Sequence, residues 1–382
     1  MKRRINLLRE FSIPLIAGVV VAIIWANLAS ENYHHFMEQP IFGGLSFHFI
    51  SNELFMVLFF GIAAVEITQS CLPGGSLNPF SRAINPLFST LGGVAGPIAV
   101  YLLLNNFWGS GELANGWGIP TATDIALAWL AARMVFGDSH PAVSYLLLLA
   151  VADDAIGLAI IAIFYPNPNL PVEPVWLLLT ALGMVAAYLL RRTKIHNYWP
   201  YLIIGGALSW TGLHSAHLHP ALAFVFIVPF LPHGQKEKNL LFEEDPGDHS
   251  PMHQFEHEWK VVVDFGLFMF GLANAGVEFS SIGSVTWIVL ASLIIGKTVG
   301  IFGFGWFAKL LGFGLPRGMR KRDLLIAGII AGTGFTVALF VCGEAFTDPA
   351  IKGAAKMGAM FSIVAAIMGI AMGRLLKIRK RN

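Results

Sequence analysis

Long apolar runs recur along the whole chain, separated by short segments rich in charge, Gly and Pro. A bilayer core of about 30 Å is crossed by roughly 20 residues of α-helix. By that ruler the pattern predicts twelve spans, at about 11–29, 53–70, 87–105, 115–136, 142–164, 173–190, 199–214, 219–233, 261–277, 285–309, 323–344 and 354–376, the seventh and eighth being short. A closed β-barrel is the other way to satisfy every backbone group in lipid. It would show alternating stretches of about ten residues, whereas these runs are unbroken. The fold class expected is therefore an all-α polytopic membrane protein, one integral domain over residues 1–382.

The polar segments add orientation. An even number of spans puts both termini on one side. That side collects Lys2, Arg3, Arg4, Arg9, Arg82, Arg133, Arg191, Arg192, Lys194, Lys236, Lys238, Lys260, Lys309, the Arg317–Arg322 cluster and the tail K-I-R-K-R-N, while the other keeps only Lys352 and Lys356. Such asymmetry marks the cytoplasmic face. The basic start M-K-R-R precedes a run too long for a signal-peptide core, so it reads as a retained first helix. Residues of about 37–52 contain P-I-F-G-G-L-S-F-H-F, short alternating stretches around Gly-Gly, and suggest an outer hairpin. The long polar connection of about 234–260 is an inner loop whose E-E-D-P-G-D-H run reads as solvated.

Composition agrees with this picture: 55% of the 382 residues are hydrophobic and 13% charged, against about 25% charged in soluble domains. Cys71 and Cys342 offer neither a disulfide framework nor metal-ligand spacing. His214, His217 and His219 have no carboxylate or Cys near them in sequence and read as surface histidines. The repeated glycines of G-F-G-F-G-W lie inside a span and suit helix packing rather than phosphate binding.

What remains is a short set of ionisable groups inside the runs: Glu53, Glu66, Asp124, Asp153, Asp154, Asp264 and Lys297. A charge at mid-membrane costs a few kcal/mol or more, so such groups face a cavity or a partner. Asp124 follows G-I-P-T-A-T, where Pro120 breaks the fourth span. A-G-T-G-F-T, residues 331–336, interrupts the eleventh in a corresponding way. Paired interruptions of this kind point to the site of a secondary transporter. Their half-helix ends carry partial charges, which Asp124 could neutralise at the N-termini and Lys297 or a cation at the C-termini. Asp153 and Asp154 are adjacent, about 100° apart around the helix. The two therefore divide the work: one pairs with a buried cation such as Lys297, and the other faces a cavity and exchanges a proton for a cation. Burial and a neighbouring like charge both favour the protonated form of a carboxylate. Hard cations such as Na⁺ and Li⁺ suit oxygen ligands, which Asp154, Thr123 and broken-helix carbonyls supply. Such an exchange needs no cofactor.

The runs P-T-A-T-D-I-A, A-V-A-D-D-A-I-G, L-A-N-A-G-V, I-I-G-K and A-G-T-G-F-T-V-A-L-F follow one another at spacings that resemble NhaA-type sodium/proton antiporters, over nearly the whole chain. The resemblance implies twelve helices in an inverted-repeat fold, broken crossing helices at spans four and eleven, a bacterial inner-membrane location, electrogenic exchange and often a homodimer through the outer hairpin. Its partners are Na⁺, Li⁺, H⁺ and the lipid bilayer, with no nucleic acid. Asp154 looks like the principal ion- and proton-binding carboxylate, Asp153 like the partner of Lys297, and Thr123 with Asp124 like the pair at the helix crossing. Glu53 is similar to an acid on the outer side of span two, and Glu66 to one at the cytoplasmic funnel where pH is sensed. His219 resembles a histidine near the outer end of span eight. Glu256 and His257 belong to a partly retained inner cluster, Phe255-Glu256-His257-Glu258-Trp259-Lys260. The chain departs from the family pattern at Ile67-Thr68-Gln69-Ser70, Asp264 and Thr298, and in a shorter hairpin. Three rival readings stand beside this one: a transporter of the same fold with another substrate, an intramembrane aspartyl protease, and a non-transporting ion or pH sensor.

Overall fold

The computed structural model describes residues 13–42, 44–73, 75, 77, 80–166, 170–234, 250–378 and 380, without the side chains of 42 and 80–82. The basic N-terminal residues, the acidic run at 243–249 and the last two residues of the tail lie outside the described residues.

Helix occupies each of the predicted stretches. Among the described residues, six continuous helices are long and apolar enough to cross a membrane: Phe47–Cys71, Ala83–Trp108, Pro141–Phe164, Pro174–Arg192, Ser284–Leu310 and Pro349–Leu375. Two further spans are broken. Gly111–Thr121 meets Ile125–Phe136 at 54°, and Lys321–Ala331 meets Phe335–Ala345 at 46°. Ile13–Leu28 and Pro220–Phe230 are shorter apolar helices. The full count of twelve crossings rests on the sequence pattern rather than on helix length.

Some boundaries differ from the hydropathy reading. The ninth helix starts at Pro251, not near 261, so the end of the expected loop is helical. Ser250 caps it through its hydroxyl, which accepts from His253 N at 3.4 Å, and Pro251 stands in the first turn. A hydropathy ruler passes over these turns because they are polar. Among the described residues of the hairpin region, Pro40–Phe42 and Leu45–Ser46 pair antiparallel, with Gly44 in the turn at φ +87°. The flanks are helical, Ser30–Glu38 before and Phe47 onward after.

Small residues set the closest helix contacts. Gly92 and Gly96 on one helix face Gly296 and Gly300 on another. A Cβ at Gly96 would lie 2.3 Å from the Gly296 carbonyl oxygen, and one at Gly300 only 1.9 Å from that of Gly92. Both sequences are small-xxx-small, G-G-V-A-G and G-K-T-V-G, which lets backbones touch where lipid gives no hydrophobic drive to associate. The outer faces are apolar. Leu178, Leu182, Val185 and Leu189 form an exposed stripe along one side of their helix, a surface suited to lipid rather than water.

Candidate functional site: the crossing of two broken helices

The two breaks meet through their backbones: Asp124 N donates to Thr333 O at 2.7 Å. Asp124 caps its own half-helix, Ile125–Phe136, by accepting from Leu127 N at 3.0 Å. Its second oxygen reaches the other broken span and accepts from Thr336 Oγ1 at 2.9 Å and Thr336 N at 3.3 Å. One buried carboxylate thus serves two helix N-termini, where the aligned peptide dipoles favour negative charge. Ser362 assists the second, its hydroxyl accepting from Gly334 N at 3.1 Å and Phe335 N at 3.3 Å.

Lys297 answers at a C-terminal end. It is fully buried, just after a wide π-helical turn, Ser292–Gly296. Its ammonium donates to Thr121 O at the end of the first half-helix and to Thr123 Oγ1, both at 2.7 Å. It also forms an ion pair with Asp153. All three N–H donors are thereby used, the condition under which a buried charge is tolerable. Thr123 Oγ1 lies 2.7 Å from Asp153 Oδ2 and 3.0 Å from Ala331 O, and its one proton serves one of them at a time.

Asp154 is different from its neighbour. It is 9% exposed, and its buried Oδ1 has no hydrogen-bond partner among the described residues. Asp153 Oδ1 and Thr333 Oγ1 share that condition. Asp154 lies within electrostatic range of Asp153, Glu66, Lys297 and Asp124. Buried oxygens without partners are rare, and each calls for a donor or a cation. Besides Lys297, the charged groups acting on Asp154 are carboxylates, oxygen donors that suit a hard monovalent ion.

The structure therefore brings together Thr123, Asp124, Asp153, Asp154 and Lys297, with Glu66 half-buried alongside. Glu256 and His257 stand apart. Glu256 accepts from Gln69 Nε2 at 2.8 Å and lies 3.7 Å from Lys260. His257 is exposed, its ring 6.3 Å from that of His253. The Gln69–Glu256 bond sets this pair beside the end of the helix that carries Glu66. Glu53 and His219 occupy the other end of that helix, about 20 Å away at 1.5 Å per residue.

The surface-histidine expectation fails for His219, which is 6% exposed. Its carboxylate neighbours, Glu53 and Glu344, come from distant parts of the chain. His214 is exposed and His217 half-buried. Sequence reasoning also missed Thr336, Ser362, Glu344 and the facing glycines. For Thr336 and the glycines the signal was present, in A-G-T-G-F-T and in the two small-xxx-small runs.

Comparison with known proteins agrees with this architecture. The family described as Na+/H+ antiporter 1 matches residues 5–372. The chain is 72% identical over 380 residues to "Na(+)/H(+) antiporter NhaA 2" of Pelobacter propionicus, covering 100% of both chains. It is 67% identical over 380 residues to "Na(+)/H(+) antiporter NhaA" of Geobacter sulfurreducens, again covering 100% of both. Its fold is similar to a solved sodium proton antiporter of Methanocaldococcus jannaschii, with TM-score 0.53, 12% identity, and coverage of 96% of this chain and 91% of that one. A match over nearly every residue, joined to a fold built around two broken and crossing spans, leads to one assignment: the chain belongs to the NhaA-type Na+/H+ antiporter family, a family of membrane transporters and not of enzymes.

Proposed function

We propose that the protein exchanges cytoplasmic Na⁺ or Li⁺ for external H⁺, by competition of cation and proton for Asp154 with access alternating between the two sides. The observation that carries this reading is the contrast within one dipeptide. Each of the two keeps a buried Oδ1 with no partner among the described residues, but Asp153 carries a fixed ammonium and a hydroxyl on its Oδ2, and Asp154 has no ion pair among the described residues. A carboxyl in that position is satisfied by a proton or by a cation, and by only one of them at a time.

Charge bookkeeping separates two forms of the cycle. With Asp153 and Lys297 ionised and Asp154 protonated, the three groups sum to zero. Na⁺ in place of that proton leaves the sum unchanged. If Lys297 also gives up its proton when Na⁺ binds, the loaded site is one unit more negative and more than one proton returns per Na⁺. The second form moves net positive charge inward, so a membrane potential negative inside drives extrusion. Asp124 and Thr123 hold the crossing in register, and Glu66, Glu256 and His257 line the cytoplasmic approach where pH acts. In a bacterial inner membrane, with both termini cytoplasmic and a homodimer as the assembly, this exchange expels sodium and contributes to pH homeostasis.

The test uses inverted membrane vesicles with a respiration-driven ΔpH. Adding NaCl or LiCl should collapse ΔpH in the wild type and leave it intact in Asp154→Asn. Absence of collapse with correctly inserted wild-type protein would sink the exchange reading.

A further inference from the structure

A second group of chemistry-bearing side chains lies away from Asp154. Glu53, His219 and Glu344 each offer one ligand atom, and these atoms all lie within 4.8 Å of one another. They come from different elements. Glu53 sits in the wide π-helical turn Ile50–Phe55, His219 directly precedes the short turn Pro220–Leu222, and Glu344 lies in Phe335–Ala345, the second half of a broken span.

The imidazole is already oriented. Nε2 of buried His219 donates to the Tyr165 carbonyl, which leaves the Nδ1 lone pair facing Glu344 Oε2 at 3.6 Å. A ring nitrogen held by a backbone carbonyl while the other points at carboxylates is the usual arrangement of a metal-binding histidine. Glu53 Oε2 is buried and has no hydrogen-bond partner among the described residues. The charged groups that act most strongly on Glu53 are Glu344 and His219, so two carboxylates share a confined space with one imidazole. Lys356 on the next helix lies in electrostatic range of Glu344 and offsets only part of that charge. One nitrogen and two oxygens suit a borderline cation better than Mg²⁺ or Ca²⁺, which prefer oxygen alone. Tetrahedral ligands at about 2 Å from zinc stand about 3.3 Å apart, a closure that side-chain rotation can supply.

We propose that Glu53, His219 and Glu344 form a binding site for a divalent first-row transition cation, separate from the Asp154 site, and that an ion held there ties the outer half of the second broken span to its neighbours and arrests transport. The ion bridges three elements that otherwise meet through packing, a backbone hydrogen bond from Ala221 to the Glu53 carboxylate and the His219–Glu344 contact. Any cycle in which that half-helix shifts against Glu53 or His219 then has to break metal bonds. The binding claim is independent of exchange. The arrest claim rests on the exchange reading.

The experiment titrates Zn²⁺ into tag-free purified protein against a chelating dye and follows thermal unfolding in parallel. Wild type and Asp154→Asn should share one tight site. His219→Gln and Glu344→Gln should weaken it by at least about tenfold, the loss typical even of residues that only support a ligand. Zn²⁺ should raise the melting temperature of the wild type and not of Glu344→Gln, whose side chain is 22% exposed and tolerates the change if buried His219→Gln fails to fold. Absence of tight binding in the wild type, or binding and thermal shift unaltered in Glu344→Gln, would overturn the site. For arrest, Zn²⁺ is added to right-side-out vesicles. Slowing of Na⁺-driven ΔpH change in the wild type and its loss in Glu344→Gln support the bridge. Binding without slowing overturns arrest and leaves the site standing.

Discussion

The two broken spans solve one geometric problem with different chemistry. The first break, Pro120 to Asp124, contains a proline, two threonines and a carboxylate. The second, Gly332-Thr333-Gly334, has no charged side chain of its own. Asp124 supplies both N-termini, while the second break returns backbone carbonyls to Asp124 N and Thr123 Oγ1. Charge sits on one side of the crossing and conformational freedom on the other. Substitutions at the first break should therefore disturb both half-helices, and those at the second only one.

The strongest test of that asymmetry is Asp124→Ala. It removes a cap from each half-helix, roughly 2–4 kcal/mol together, and should lower the melting temperature in detergent most and abolish exchange. A smaller loss than in Thr336→Val would refute the asymmetry. Gly96→Ala comes next. Its Cβ would stand 2.3 Å from the Gly296 carbonyl oxygen, and overpacking costs about 1–3 kcal/mol. Because Gly296 precedes Lys297, the apparent affinity for Na⁺ should fall along with the melting temperature. Gly303→Ala, with nothing within 4 Å, should leave both unchanged. Thr336→Val removes one hydroxyl bond to Asp124, about 1.5 kcal/mol. Ser362 still caps that half-helix, so a measurable part of exchange should survive. The smallest effect belongs at the far end of the first broken span. There Arg133 hydrogen-bonds Asp138 and holds its carboxyl below the usual range. A lowered folded value means the contribution exists above the unfolded value near 4 and vanishes as pH falls through the lowered one. The pair is exposed, so Asp138→Asn should change stability by no more than about 0.5 kcal/mol at pH 7. A larger drop would mean the loop matters to the crossing.

The parts of this site legible in sequence are those with a local signature. Pro120, the glycines at 332 and 334, and adjacent acids in an apolar run each violate a rule of their own segment. Helix boundaries in lipid were legible for the same reason. Partnerships between segments were legible only where a buried charge demanded one, as for Lys297 with one of the two aspartates and Asp124 with the broken-helix N-termini. Nothing near Glu344 indicates that a folded chain sets it against His219, 125 residues earlier. The polar first turns at Pro251 were invisible to a hydropathy ruler, though Ser250-Pro251 is an ordinary helix start. Thr336 lies in the A-G-T-G-F-T run that marks the second break, but its partner is known only from the reach of Asp124.

The contact between Gly92–Gly96 and Gly296–Gly300 has a mechanical consequence. Where backbones touch, no intervening side chain can change rotamer to absorb a displacement, and interiors packed to this density transmit strain instead of storing it. These two helices form a fulcrum, and Lys297 is mounted on it. Its ion pair with Asp153 can then be lengthened only by moving the Pro141–Phe164 helix or by turning side chains, not by sliding Lys297 away. The moving parts of the transporter are, on this reasoning, the levers around that glycine seam.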